Sequence, residues 1–86
     1  MKIFEREIPK FGDVYRHFKG KKYFIYDGNA TNCTNDTDAD EKFVVYELFG
    51  GNGEMFIRER SEFLSPVDKE KYPDTKQEWR FEKVGE

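Results

Sequence analysis

The chain has 86 residues, enough for one small domain, and only 36% of them are hydrophobic at a mean hydropathy of -0.96. Its formal net charge of -3 excludes a simple electrostatic nucleic-acid binder, which would be basic, while leaving a local cationic patch open. The lone Cys33 excludes an internal disulfide, and no apolar run is long enough to span a bilayer, so a soluble cytoplasmic protein with no membrane role is expected.

A domain of this size has a thin core, burying only about 60% of its unfolded surface. Nine Phe and five Tyr compensate, because each ring buries roughly 150–250 Å².

Residues 1–10 mix Lys2, Glu5, Arg6, Glu7 and Lys10 with Ile3, Phe4 and Ile8 before Pro9, and Gly12 follows. They read as a loosely ordered leader, with Phe4, Ile8 or Phe11 able to pin it to a single domain over 11–86. Residues 13–18 read as a first strand, and Lys19-Gly20-Lys21 as its turn, Gly20 being free to take positive φ. Lys22 to Asp27, with Tyr23-Phe24-Ile25-Tyr26 inside, gives a second strand.

Residues 28–41 read as a long polar loop rich in Asn, Asp and Thr, which favour local side-chain bonds over ladders. Phe43 to Phe49 is almost continuously apolar, which predicts a central strand covered on both faces. Gly50-Gly51-Asn52-Gly53 makes a hairpin loop, and Glu54 to Arg58 returns as a fourth strand. Arg60 to Leu64 can form a helical turn ended by Ser65-Pro66. Residues 67–77 form an irregular connection around Tyr72-Pro73. Glu78 to Val84 alternates Trp79, Phe81 and Lys83 against Glu78, Arg80 and Glu82, which suits a closing strand. The class is mainly β: about five antiparallel strands in a small barrel or rolled sheet.

Chemistry-bearing patterns are few. Tyr15-Arg16-His17-Phe18 combines rings, a guanidinium fork and an imidazole, and reads either as a binding face or as core rings with locally bonded polar groups. His17 has no nucleophile or orienting acid at a recognisable spacing. Cys33 sits among acids that disfavour a thiolate. Asp36-Thr37-Asp38-Ala39-Asp40, with Glu47 beyond, departs from a calcium loop because Glu41 stands where that loop needs Gly. The Asn-x-Thr triplets beginning at Asn29, Asn32 and Asn35 matter only in a secreted chain. The glycines at 50–53 lack the Lys and helix of a phosphate loop. No catalytic residue, metal site or cofactor is expected. Arg58 and Arg60 could join Arg16, Lys19, Lys21 and Lys22 in a cationic patch if they converge on one face.

The run Gly12-x-x-Tyr15-Arg16-His17-Phe18-Lys19-Gly20-x-x-Tyr23 has three supporting blocks: Val44-Val45-Tyr46-x-Leu48-Phe49-Gly50, Phe56-Ile57-Arg58, and Lys76-Gln77-x-x-Arg80-Phe81. Together they resemble the bacterial "domain of unknown function 1653" family over about residues 11–84. The resemblance implies a small SH3-like antiparallel β-barrel in a cytosolic bacterial or phage-associated protein, and supplies no reaction. Its recurrent positions fall on Tyr15, Arg16, His17, Phe18, Gly20, Tyr23, Tyr46, Arg58 and Phe63. The chain departs from it at Phe56-Ile57-Arg58-Glu59-Arg60, where the family usually has Trp-Val-Arg-Pro-Leu, and in a longer 28–41 loop.

The reading that follows is a non-enzymatic binding module, with Tyr15, Arg16, His17, Tyr46 and Arg58 lining the site for a peptide, protein, nucleotide or nucleic-acid ligand. A small hydrolase or nucleotide-processing enzyme using His17 competes with it, as does an accessory domain packed on a partner. A monomer or weak homodimer is expected.

Overall fold

The structure, a computed structural model, describes residues 6–33 and 41–84. Five strands form one antiparallel sheet: β1 (Val14–His17), β2 (Lys22–Thr31), β3 (Lys42–Leu48), β4 (Met55–Glu59) and β5 (Phe81–Lys83). Their order is β4-β3-β2-β1-β5. A one-turn helix, α1 (Arg60–Phe63), follows β4 directly. No ladder joins the edge strands β4 and β5 among the described residues, so the sheet is open.

The β1–β2 turn is closed by its own backbone. Gly20 N–H donates to His17 C=O at 2.8 Å and His17 N–H to Lys21 C=O at 2.7 Å. Gly20 sits at φ +108°, a conformation that a Cβ would strain. Beyond it, β2 runs ten residues and ends at Thr31, past the expected boundary at Asp27. Its register against β3 slips between Ile25 and Asp27 and again between Asp27 and Ala30. These bulges let the strand bend while continuing to pair. The second lies at Gly28, where a Cβ would stand 2.0 Å from the carbonyl oxygen of the fully buried Pro9. Arg60 Nη1 donates to Gly28 C=O at 3.1 Å and to Asn29 Oδ1 at 2.9 Å, holding the bulge from outside. Gly28 to Thr31 are therefore strand and not loop. The remainder of the expected loop, with the Asp36–Asp40 run and the Asn35 triplet, lies outside the described residues.

Strand alternation assigns the faces. Tyr15, His17, Tyr23, Ile25, Val44, Tyr46, Phe56, Arg58 and Phe81 share the first face. Phe63 and Leu64, carried by α1 and the residue after it, complete its buried apolar set. The rings of Phe63 and Phe81 stack at 4.0 Å and 9°. Such a pair adds about 0.5–1.5 kcal/mol beyond the area it buries.

The second face carries Arg16, Lys22, Phe24, Val45, Met55, Ile57 and Glu82; Phe11 meets Phe24 edge-on there and Gln77 is bonded to Arg16 C=O, while no helix among the described residues covers it. β3 lies inside the sheet between β4 and β2, as expected of a central strand. The expectation that both of its faces are covered is corrected: Val44 and Tyr46 on the first face are buried, while Phe43 and Val45 on the second are only half-buried.

The segment before β1 is tied down by Arg6 and Pro9. Arg6 donates to Leu64 C=O at 3.1 Å and Phe81 C=O at 2.7 Å, and its guanidinium lies 4.6 Å from the Trp79 ring centroid. Ile8 and Phe11 are exposed, and among the described residues Phe11 meets the edge-on rings of Phe24 and Tyr26, so neither pins the segment into the core; Phe4 lies outside the described residues.

Candidate functional site: an aromatic corner on the first face

The first face is buried around Ile25, Val44 and Phe63 and opens toward the β1–β2 turn. At that end His17, Tyr23, Phe56 and Arg58 are half-buried around Phe81. Register explains the meeting: His17 stands opposite Phe81 across β1–β5, and Tyr46 opposite Phe56 across β3–β4. The His17 ring meets Phe81 edge-on at 4.9 Å, Tyr23 meets Phe81 at 5.8 Å, and the Arg58 guanidinium carbon lies 5.4 Å from the Phe81 centroid. Phe81 is thus the floor of the corner and, through Phe63, part of the core.

Two polar groups are fixed there. Arg58 Nε donates to Tyr46 Oη at 3.1 Å, and Arg58 Nη1 to Glu62 Oε2 at 3.1 Å. His17 Nδ1 accepts from Lys19 N–H at 3.1 Å, so Nδ1 is unprotonated and the neutral ring carries its proton on Nε2. Burial first, then the charges of Arg58, Lys19 and Arg80, hold the imidazole down at about 4. Nε2 has no partner among the described residues, yet no buried side-chain nitrogen or oxygen is left unpaired, so Nε2 reaches solvent. Burial, followed by the nearby Tyr46, also raises the Tyr23 hydroxyl. The corner therefore offers N–H donors from His17 and Arg58 between aromatic walls.

The five residues expected to line a site are divided. His17 and Arg58 meet at the corner. Tyr46 is 4% exposed and supports Arg58 through its hydroxyl while its ring packs on Phe63 at 5.5 Å. Tyr15 is 2% exposed and meets Phe63 at 5.3 Å; its hydroxyl is pushed up to about 12, by burial first and then by Asp13. Arg16 lies on the second face, opposite Lys22 on β2 and Glu82 on β5. The cationic cluster consequently does not form as one patch, since Arg58 is separated from Arg16 and Lys22 by the thickness of the sheet. Tyr23, Phe56 and Phe81 are the corner residues the sequence reading left out. Strand register alone brings them together.

Cys33 lines a small apolar depression of about 290 Å³ with Phe43, Val45 and Ile57, on the second face and away from His17. Among the described residues no group of three or more potential metal ligands gathers, and no helix is long and apolar enough to cross a membrane.

Fold and corner together define a small antiparallel β domain whose core rings surface at one end beside fixed donors. The sequence profile of the family described as "Protein of unknown function (DUF1653)" matches residues 13–83, and the chain belongs to that family. No curated protein and no solved structure matches it.

Proposed function

We propose that the domain is a non-catalytic binding module that takes an acceptor-bearing group, such as a peptide carbonyl or carboxylate, at the His17–Arg58 corner. One observation carries this reading: a neutral imidazole with Nδ1 already engaged presents Nε2–H to solvent beside an anchored guanidinium. Rings of Tyr23, Phe56 and Phe81 supply the walls that such sites need around a few directed bonds. An SH3-like roll fits the meander order, the β1–β5 pairing and the single helical turn after β4. Against the hydrolase reading, a base held at about 4 is far from the pKa that serves general catalysis near neutral pH.

The test is His17→Phe, which keeps a ring against Phe81 and removes both nitrogens. Purified wild type and variant are compared by pull-down with mass spectrometry of bound small molecules and peptides. A ligand held by wild type and lost by a variant of equal melting temperature supports the module. Equal retention by both overturns it.

A second reading rests on the second face. Ile57 is 67% and Met55 44% exposed there, with Tyr26 and Phe11 also exposed nearby. An accessory domain docking on a partner protein would cover these side chains. Ile57→Lys should then abolish co-purification of the partner while leaving His17-dependent binding unchanged.

A further inference from the structure

The segment after α1 leaves the core at Val67 and returns at Trp79, and between them it builds one wall of a cleft. Its backbone is ordered by its own bonds: Tyr72 N–H donates to Asp68 C=O at 2.9 Å, Thr75 N–H to Tyr72 C=O at 3.2 Å, and Lys69 Nζ to Thr75 C=O at 2.7 Å. Gln77 Nε2 fastens the wall to the sheet, donating to Arg16 C=O at 3.0 Å and Trp79 C=O at 2.8 Å. The cleft has a volume of about 810 Å³ and opens on the second-face side, with Arg16, Phe18, Tyr72, Asp74 and Lys76 among its lining. That volume lies within the usual range of small-molecule sites, roughly 300–1,000 Å³.

Its chemistry is specific in two respects. Tyr72 and Phe18 form an aromatic ledge, their rings 4.9 Å apart, with Lys19 Nζ 5.3 Å from the Tyr72 centroid and 5.9 Å from that of Phe18. Lys71 Nζ lies 6.0 Å from Tyr72. Arg16, Lys19, Lys71 and Lys76 make no ion pair with any described carboxylate, although the chain carries more acids than bases. Lys22 adjoins Arg16 in register. Cations without an ion pair around a half-buried aromatic ledge suit a ligand that is itself both planar and anionic.

We infer that this cleft is a nucleoside-phosphate site, with the base stacked on the Tyr72–Phe18 ledge and the phosphate held by Arg16, Lys71 and Lys76. Asp74 and Glu82 supply the only carboxylates of the lining and provide acceptors for base amino or ribose hydroxyl groups. The phosphate-bearing base can come free, as a mononucleotide, or as one unit of a single strand, since stacking plus backbone charge recognises both. The cleft opens on the side of the sheet opposite the His17–Arg58 corner and meets it at the β1–β2 turn, where the Phe18 and His17 rings lie 4.5 Å apart.

The test is a ¹⁵N chemical-shift titration of the whole chain with AMP, adenosine, inorganic phosphate and a short oligoadenylate. AMP or the oligomer should shift Arg16, Phe18 and residues 71–77, and bind more tightly than adenosine or phosphate alone. Tyr72→Ala should weaken binding about tenfold or more. Arg16→Gln, a change at an exposed side chain, should also weaken it and flatten its salt dependence. Tighter binding of the oligomer identifies a strand as the source, and tighter binding of AMP a free nucleotide. No shift with any nucleotide, shifts confined to His17, Tyr23 and Arg58, or equal affinity in Tyr72→Ala and wild type would each overturn the inference.

Discussion

Acidification should weaken this fold through one side chain, and His17→Phe should remove that part of the loss. His17 is the chain's single histidine. Its pKa falls from 6.5 to about 4 on folding, by burial first and then by Arg58, Lys19 and Arg80. A lowered histidine pKa means that the native state prefers the neutral ring. Its contribution is therefore fully present above pH 6.5 and is lost as the pH falls from there to about 4, where both states carry the proton. Each pKa unit corresponds to about 1.4 kcal/mol. The ring is half-exposed, and solvent screening leaves about 1–2 kcal/mol of the full linkage. Protonation at Nδ1 also removes the acceptor of Lys19 N–H, loosening the β1–β2 turn. Urea unfolding followed by Trp79 fluorescence at several pH values, for wild type and His17→Phe, isolates the term, because carboxylate titration is common to both. Wild type should lose stability relative to His17→Phe steadily as the pH falls from 6.5 to about 4. An NMR titration of the His17 ring with a midpoint near 6.5 would refute the reasoning, as would parallel pH profiles.

Three substitutions test the packing that holds the corner. Gly28→Ala drives a Cβ into the Pro9 carbonyl and should cost about 1–3 kcal/mol in denaturant unfolding, since both partners are buried backbone. Arg6→Ala removes charge-assisted bonds to Leu64 and Phe81 and should cost about 1.5–3 kcal/mol, visible as a lower melting temperature and altered Trp79 emission. Tyr46→Phe deletes the acceptor of Arg58 Nε and should cost about 0.5–1.5 kcal/mol, with faster hydrogen exchange of that Nε–H by NMR.

Where local chemistry decided the outcome, the sequence was readable. Aromatic and β-branched runs placed β1, β3 and β4 within a residue or two of their ends, and Gly20 marked the first turn. The continuation of β2 through Gly28-Asn29-Ala30-Thr31 was not readable, because those residues favour turns in isolation. Pro9 packed against Gly28 and Arg60 bonded to the bulge override that preference, and neither contact is local. Arg60 ties down the bulge through Gly28 C=O and Asn29 Oδ1. The corner was half readable. His17 and Arg58 stood out by type, but Phe81, 64 residues after His17 in the chain, reaches it only through β1–β5 register. Tyr72 looked like part of a featureless connection because its partner Phe18 is equally remote.

Phe81 links stability to any function of the corner. One face of its environment is the stacked Phe63, and the other is the set of His17, Tyr23 and Arg58 contacts. Removing a buried Phe side chain typically costs about 3–5 kcal/mol, a large share of what so small a domain possesses. A truncation at Phe81 would therefore abolish binding by unfolding the chain and would say nothing about recognition. The same holds in weaker form for Tyr46, whose ring is core and whose hydroxyl positions Arg58. Only groups whose polar atoms reach solvent while their carbon skeletons can be preserved separate the two effects, and at this corner His17 is the clearest of these. A thin core has made its own rings serve as the walls of the site, so replacement by shape-preserving residues is the informative perturbation and alanine scanning is not.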